Sequence, residues 1–143
     1  MFISENNKKA TLRTLFIYVG VTLFVALFGG IYEIYSHNVY SANMVFAWVF
    51  TLGFGVGMYL LLYLLPIKQV PGLITSSIYH LGVALLTFRS IFIGVLEIYG
   101  TTNEGMVLTY SILSGLLVGI SGLAYLIIII HSLINRNNEP QNA

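Results

Sequence analysis

Residues 106–134 read MVLTYSILSGLLVGISGLAYLIIIIHSLI and contain no Asp, Glu, Lys or Arg. A helix of about 20 predominantly apolar residues is long enough to cross the roughly 30 Å hydrocarbon core of a bilayer. This run exceeds that length, and three further apolar runs precede it at 15–34, 44–65 and 73–98. The pattern predicts four transmembrane helices, at about 13–35, 44–65, 73–99 and 106–134.

The composition of the whole chain indicates the same class of protein. Hydrophobic residues make up 57% of the 143 residues and charged residues only 8%, whereas soluble domains carry about a quarter charged residues. Strands of a transmembrane barrel would be about half as long as these runs and would alternate in polarity. We therefore predict an all-α integral membrane protein, with a single transmembrane domain over 1–143 and the lipid bilayer as its partner. The net charge of +1 predicts no nucleic-acid partner.

The basic residues predict which side of the membrane the termini occupy. Outside the apolar runs, they lie before the first helix, between the second and third, and after the fourth, at Lys8, Lys9, Arg13, Lys68 and Arg136. Because Lys and Arg are enriched in cytoplasmic segments, both termini are expected on the cytoplasmic side of the plasma membrane. The first run is too long for a cleaved signal peptide, so we expect it to remain as a helix.

The chain also repeats itself. The pattern F-x-x-x-F-x-G-x-x-E-I-Y starts at Phe24 and again at Phe88, sixty-four positions later. Beyond the next loop the matches continue at an offset of sixty-two, and they include Met44 with Met106, Gly53 with Gly115, Gly57 with Gly119 and Tyr63 with Tyr125. We interpret the two halves, about 12–66 and 76–128, as tandem helical hairpins with the same orientation in the membrane. Such parallel repeats are related by an axis along the membrane normal, which predicts a four-helix bundle with approximate two-fold symmetry.

Small residues recur at helical spacing in the second and fourth predicted helices. Gly53 and Gly57 form a GxxxG spacing, and a stripe in the fourth helix consists of Ser111, Gly115 and Gly119. Small residues four apart allow another helix backbone to approach closely. These faces are predicted to hold the bundle together. The alternative is that they bind a second copy of the chain, as in a homodimer, or another membrane protein.

Arg89 lies inside the third predicted helix, about nine residues or roughly 14 Å before its end. A charge near the bilayer midplane costs about 2.5 to 3.5 kcal/mol on insertion scales, and intramembrane charges mark functional sites by default. We expect Arg89 to lie opposite Gly115 of the fourth helix and to line a pocket for a small anionic or amphipathic ligand. The alternative is a structural arginine whose partners are backbone carbonyls, Tyr hydroxyls or a carboxylate.

The repeated motif ends in Glu33 and Tyr35 in its first copy and in Glu97 and Tyr99 in its second. Each glutamate is predicted one turn inside the outer interface, where a symmetric pair could share a proton, bind a cation or help to bind a ligand. A direct contact between Glu97 and Arg89 is not expected, because eight residues of helix separate them by about 12 Å. The alternative is that the glutamates cap the packing of the outer loops and that the tyrosines belong to an aromatic interface belt.

Three histidines are weak candidates for metal or haem binding. His37 follows Glu33 by four residues, so on a continuing helix the two would share a face and could hold a divalent metal with Glu97. His80 and His131 lie near the cytoplasmic ends of the third and fourth helices, where facing imidazoles could bind a haem. The alternatives are a surface-loop histidine and two interfacial polar residues, and no cofactor is predicted.

The sequence contains no nucleotide-binding, nucleophile-elbow or zinc-protease motif, so no catalytic residue is predicted and an enzyme acting on a soluble substrate is disfavoured. Three functions stay open. The chain binds, and in one version transports, a small anionic or amphipathic ligand at Arg89. Alternatively, it is a non-catalytic accessory subunit that docks into a larger membrane complex through its glycine faces, or it binds haem or a metal. The intramembrane charge in a duplicated bundle favours the first.

Overall fold

The computed structural model describes residues 2–37, 39–65 and 72–138, and within these ranges it contains helices and no strand. The helices are α1 (Phe2–Ile34), α2 (Ala42–Val45), α3 (Ala47–Phe50), a π-helix (Thr51–Gly57), α4 (Met58–Leu64), α5 (Leu73–Ile98) and α6 (Glu104–Asn138). The segments α3, π-helix and α4 follow one another without a gap, and together they are called the second span.

Four helical stretches are long and apolar enough to cross a membrane: Asn7–Ile34, Ala47–Leu64, Leu73–Ile98 and Glu104–His131. Within the described ranges, this confirms the predictions of an all-α fold and of four helices able to span a membrane. The first and last helices are longer than predicted, since α1 begins at Phe2 and α6 continues to Asn138. Hydropathy locates only the part of a helix that fits hydrocarbon, whereas backbone hydrogen bonding continues into the polar residues beyond it.

The second span differs from the single α-helix that the sequence predicts over 44–65. It is preceded by the short helix α2, whose N-cap Ser41 accepts a hydrogen bond from the Met44 backbone N–H at 3.2 Å. Phe46, with φ −98° and ψ 8°, separates α2 from α3. Three glycines then fall within the seven residues of the π-helix. Glycine is a poor α-helix former, and short π-helical stretches interrupt longer helices, frequently at functional sites.

The second span contacts both α1 and α5, and α6 packs along α5. Side-chain contacts at two depths show that α1 and α5 run in the same direction. Tyr18 contacts His80 in the earlier part of both helices, whereas Glu33 and Glu97, near their C-terminal ends, both contact Ser41. Most large apolar side chains of the four spans are exposed, as expected for surfaces that face lipid.

The buried core consists largely of tyrosines and small residues. Tyr79 and Tyr125 are fully buried, and their rings pack together with 5.0 Å between centroids. Val83 and Val118 belong to the same cluster. Because lipid tails are as apolar as these side chains, close packing and interhelical hydrogen bonds are what favour helix association in a bilayer.

Glycines make close contacts between helices, but they are not the glycines predicted from the small-residue spacing of the second and fourth helices. A Cβ at Gly82 on α5 would lie 2.7 Å from Val118 Cγ2 on α6. A Cβ at Gly94 would likewise lie 2.7 Å from the Cβ of Met44. The close approach of α5 to α6 and to α2 therefore requires the absence of a side chain at these two positions.

The glycines predicted to hold the bundle together contact no neighbouring helix among the described residues. A Cβ at Gly53, Gly115 or Gly119 would meet no atom within 4 Å, and one at Gly57 would meet only a carbonyl oxygen of its own π-helix at 3.6 Å. At these four positions a side chain would therefore meet no neighbouring helix of the described residues, and the packing role stays a prediction. Spacing identifies a flat helix face, but it does not reveal which way that face points. A second copy or a protein partner on these faces stays a prediction.

Candidate functional site

A hydrogen-bonded cluster around His80 joins all four spans. Nδ1 of the imidazole lies 2.7 Å from the Tyr18 hydroxyl of α1. Nε2 lies 3.1 Å from the Tyr59 hydroxyl of α4 and 3.2 Å from Oγ of Ser76, one turn earlier on α5. The Tyr59 hydroxyl also lies 3.1 Å from the hydroxyl of Tyr125 on α6. These five residues are called the Tyr–His network.

The donors and acceptors of the Tyr–His network form a continuous chain. A neutral imidazole carries one N–H donor and one acceptor nitrogen. In one tautomer Tyr18 donates to Nδ1 of His80, and in the other Nδ1–H donates to the Tyr18 hydroxyl. In both cases the Tyr18 hydroxyl keeps the capacity for a further hydrogen bond, as an acceptor in the first and as a donor in the second.

The rings of the Tyr–His network also pack on one another. The His80 and Tyr59 rings are stacked with 5.6 Å between centroids and an interplanar angle of 6°. The Tyr18 ring stacks on Tyr59 at the same centroid distance, with an interplanar angle of 26°. Stacking and hydrogen bonding together restrict the orientation of the imidazole.

The π-helix positions two of the buried tyrosines. A Cβ at Gly55 would overlap the ring of Tyr18, so this glycine makes the room into which the ring packs. The backbone carbonyl of Phe54 accepts a hydrogen bond from the Tyr79 hydroxyl at 2.6 Å. The interruption of the second span thus supplies both a gap and a hydrogen-bond acceptor beside the network.

A groove of about 580 Å³ lies between α1 and α5 and also includes a residue of the second span. Most of its lining is apolar, contributed by Ile17, Val21, Phe24, Val25, Val83, Ala84, Phe88 and Ile91. Its polar lining residues are Thr14, Tyr18, Thr51, His80 and Thr87. Each of the three threonine hydroxyls donates to a carbonyl of its own helix. Both ring nitrogens of His80 have hydroxyl partners as well, whereas the Tyr18 hydroxyl carries one hydrogen bond and retains capacity for another toward a molecule in the groove.

Arg89 lies away from this groove. It is half-buried, and its Nε donates a hydrogen bond to Oγ of Ser111 on α6. The expectation placed Arg89 opposite Gly115, and its observed partner is one turn earlier on the same helix. Arg89 therefore faces α6, and its predicted role in ligand binding stays a prediction.

Glu33 and Glu97 both contact Ser41 at the start of α2. The Ser41 backbone N–H donates to Oε1 of Glu33 at 3.0 Å, and the Ser41 hydroxyl donates to Oε2 of Glu97. Oε1 of Glu97 accepts a second hydrogen bond from Nδ2 of Asn43 at 2.8 Å. Glu33 is only 8% exposed, and its buried Oε2 accepts no hydrogen bond. The structure thus brings the two predicted carboxylates to one residue.

The remaining predicted residues at this end are exposed. Tyr35 and Tyr99 are largely exposed and line a pocket of about 460 Å³ together with Tyr32, Ser36, His37 and Ile98. The helix on which His37 and Glu33 would share a face does not continue to His37, because α1 ends at Ile34. His37 has a positive φ of 57°, and its Nδ1 lies 2.9 Å from the Tyr35 carbonyl oxygen.

The described residues contain no group of three His, Asp or Glu side chains able to hold a metal ion. Both ring nitrogens of His80 already contact hydroxyl groups, so a haem iron would have to displace one of them. Haem binding by His80 and His131 therefore stays an untested alternative, and this geometry does not favour it.

Four residues of the Tyr–His network were missed from the sequence, namely Tyr18, Tyr59, Ser76 and Tyr125. Tyrosines in apolar helices fit an interface belt, and their hydroxyls give no signal of partners elsewhere in the chain. One signal was available, since Ser76 and His80 are four residues apart and so share a helix face.

Comparison of the chain with protein-family models, with characterised proteins and with solved structures found no match. Two features of the molecule itself carry the functional information. One is the groove that meets the Tyr–His network, and the other is the pair of carboxylates on Ser41.

Proposed function

We propose that this membrane protein binds an amphipathic molecule in the groove between α1 and α5. The apolar part of the ligand lies along the helix walls, and one polar atom forms a hydrogen bond with the Tyr18 hydroxyl beside His80. One observation carries this proposal: a groove with mainly apolar walls includes a Tyr–His pair with an unused hydrogen-bonding capacity. Ligand pockets typically combine apolar walls with a few placed polar groups in this way.

The dimensions and access of the groove define the class of ligand. Its volume of about 580 Å³ lies within the range of small-molecule sites. From His80 to Ile91 its α5 wall extends over roughly 17 Å at 1.5 Å per residue. Ile17 and Phe24 line the groove and are largely exposed, so the groove is accessible from the surface that meets lipid. Because none of its lining residues is basic, a neutral head group bearing oxygen fits better than an anionic one.

Native mass spectrometry of the protein released from lipid nanodiscs tests this proposal. We expect the wild-type protein to retain a lipid-soluble molecule and Tyr18→Phe to lose most of it, because that change removes only the hydroxyl. Tyr125→Phe is the matched control, since it removes a hydroxyl of the same network outside the groove. Equal retention by wild type and Tyr18→Phe, or a wild-type protein without any bound molecule, would contradict the proposal.

A second candidate function is that of an accessory subunit in a larger membrane complex. The observation that favours it is the open space around Gly115 and Gly119 on α6. A partner helix could approach closely at these residues. Gly119→Leu would then abolish co-purification with a partner, or dissociate a homodimer, while leaving the groove unchanged. If Gly119→Leu leaves both the partners and the oligomeric state unchanged, this candidate is excluded.

We also propose that the chain consists of two tandem hairpin repeats, about 12–66 and 76–128. Equivalent local contacts support this interpretation. Ser41 accepts a hydrogen bond from the Met44 N–H at 3.2 Å, and Asn103, sixty-two positions later, accepts one from the Met106 N–H at 3.1 Å. In addition, the stacked aromatic pairs Phe24–Phe28 and Phe88–Phe92 occur at the sixty-four-residue offset.

A contact between helices gives the repeat further support. In the first half, Gly55 of the π-helix makes room for the Tyr18 ring. At the equivalent positions of the second half, a Cβ at Gly82 would lie 3.1 Å from the Cβ of Leu117. In the first half the large residue lies on the first helix of the hairpin and the glycine on the second, whereas in the second half the glycine lies on the first helix and the large residue on the second. Both arrangements allow close packing at the same position.

We further propose that the protein lies in the plasma membrane with both termini cytoplasmic. Lys8, Lys9 and Arg13 are exposed at the start of α1, in agreement with the enrichment of basic residues in cytoplasmic segments. Lys68 lies outside the described residues, and the side chain of Arg136 does as well. The proposed orientation therefore rests on the observed exposure of the three basic residues in α1 and on the sequence positions of Lys68 and Arg136.

A further inference from the structure

Two carboxylates from different helices are fixed by the segment that enters the second span. Glu33 near the end of α1 and Glu97 near the end of α5 accept hydrogen bonds from the backbone and side chain of Ser41. Asn43 strengthens this junction, since its side chain donates to Glu97 and its carbonyl accepts a hydrogen bond from Ser90 at 2.7 Å. Glu33 is thus held at a buried position, whereas Glu97 is exposed to solvent and is held by Ser41 and Asn43.

The carboxylate of Glu33 lacks a partner for one of its oxygens. Its Oε1 accepts a hydrogen bond from Ser41, but Oε2 is buried and accepts none. Burial of a charged oxygen without a partner is unfavourable, so native structures usually pair such atoms with a donor, a charge or a metal ion. The missing hydrogen-bond partner of Glu33 Oε2 thus points to a group that binds this oxygen.

No basic side chain of the described residues supplies this charge. His37, the nearest histidine in sequence, contacts the Tyr35 carbonyl. Arg89 contacts Ser111 and lies about 12 Å along α5 from Glu97. Within the described part of the chain the two carboxylates therefore have no counter-ion, and an external cation would balance their charge.

We propose that Glu33 and Glu97 form a binding site for a calcium ion. Oε2 of Glu33 provides the open ligand position, Glu97 provides the second carboxylate, and neutral oxygens and water complete the shell. Carboxylate and amide oxygens are ligands of hard cations. Calcium suits this set better than magnesium, because calcium accepts irregular and flexible coordination, whereas magnesium requires near-ideal octahedral geometry. The bound ion connects α1, α5 and the start of α2.

We expect this site to have a low affinity for calcium. It contains two acidic side chains, and no third His, Asp or Glu of the described chain joins them. Calcium sites with few charged ligands bind weakly, with dissociation constants of roughly 0.1–1 mM for extracellular modules. The site is independent of the groove, because neither carboxylate lines it.

Calcium titration of the purified protein in nanodiscs of zwitterionic lipid tests this proposal. We expect CaCl2 at about ten times the dissociation constant to raise the Tm by roughly 3–6 °C at pH 7, and MgCl2 at equal ionic strength to have a smaller effect. Isothermal titration calorimetry with CaCl2 measures the binding directly. Glu33→Gln should lose both responses, whereas Glu104→Gln should keep them, since Glu104 is exposed at the start of α6.

Two results would overturn the calcium site. The first is a wild-type protein whose Tm and calorimetric signal do not change with CaCl2. If the Tm does not change with CaCl2 but does change on acidification, a proton and not calcium binds at Glu33. The second is a calcium response that Glu33→Gln and Glu97→Gln both retain. If Glu33→Gln does not fold, Glu97→Gln provides the test, because it removes the charge of the second carboxylate at an exposed position and its amide oxygen still accepts one of the two hydrogen bonds from Ser41 and Asn43.

Discussion

The Tyr18 hydroxyl on α1 lies 2.7 Å from Nδ1 of His80 on α5. This contact joins two helices that both pack against the second span, and it lies where the apolar groove meets the Tyr–His network. The same pair therefore contributes to holding the helices together and provides the polar end of the proposed ligand site. These two roles are separable by experiment, because other hydroxyls of the network lie outside the groove.

We expect Tyr59→Phe to destabilise the protein. The change removes the hydroxyl that contacts His80, Ser76 and Tyr125. Interhelical hydrogen bonds in membranes contribute about 0.6 kcal/mol on average, so losing several contacts at one atom should cost roughly 1–2 kcal/mol. Unfolding in mixed micelles measures this free energy. Tyr63→Phe on the same helix is the control, and an equal effect of both changes would contradict a special role for the network.

Gly55→Ala and Gly53→Ala should have opposite consequences. A Cβ at Gly55 overlaps the Tyr18 ring, whereas a Cβ at Gly53 meets open space. Overpacking typically costs about 1–3 kcal/mol, so Gly55→Ala should lower the Tm by several degrees. Gly53→Ala should leave the Tm unchanged or raise it slightly, since alanine is the better helix former. Thermal unfolding of both variants in one detergent distinguishes them, and equal Tm values would show that the Tyr18 ring does not require this gap.

Arg89→Leu should leave ligand binding in the groove unchanged. The guanidinium contacts Ser111 on α6 and does not line the groove. Removal of a charge from the interior of a span is favourable by about 2.5–3.5 kcal/mol on insertion scales, so expression in the membrane should not fall. Native mass spectrometry of the variant measures the retained ligand. Loss of the ligand would restore Arg89 as the centre of the binding pocket.

Cysteine labelling should place the loop after α5 outside the cell and the start of α1 inside. The chain contains no cysteine, so single substitutions give an unambiguous signal. Thr102→Cys should react with a membrane-impermeant maleimide on intact cells, whereas Ala10→Cys should react only after permeabilisation. Both positions are exposed, and neither change removes a charge. The reverse pattern would invert the proposed orientation.

The four membrane-crossing stretches could be predicted from the sequence because hydrocarbon thickness sets the minimum length of a spanning helix. Runs such as 106–134 exceed that length without any Asp, Glu, Lys or Arg, so no other arrangement satisfies their backbone groups in lipid. The position of Arg89 against α6 was also close to expectation, since antiparallel helices bring residues of similar depth together.

The partners of individual residues were decided only by the tertiary structure. In a soluble helix, hydropathy separates the buried face from the exposed face, whereas in lipid both faces are apolar and this signal is lost. The spacing therefore predicts a packing role for Gly119, which faces open space, and none for Gly82, which packs against Val118. The convergence of Glu33 and Glu97 on Ser41 likewise depends on where α1 ends and how α5 is rotated. The number of helices that are long and apolar enough to cross a bilayer follows from the sequence alone, because it depends on length and polarity. The rotation of each helix about its axis sets which side chains contact one another. Close packing and hydrogen bonds between spans determine that rotation.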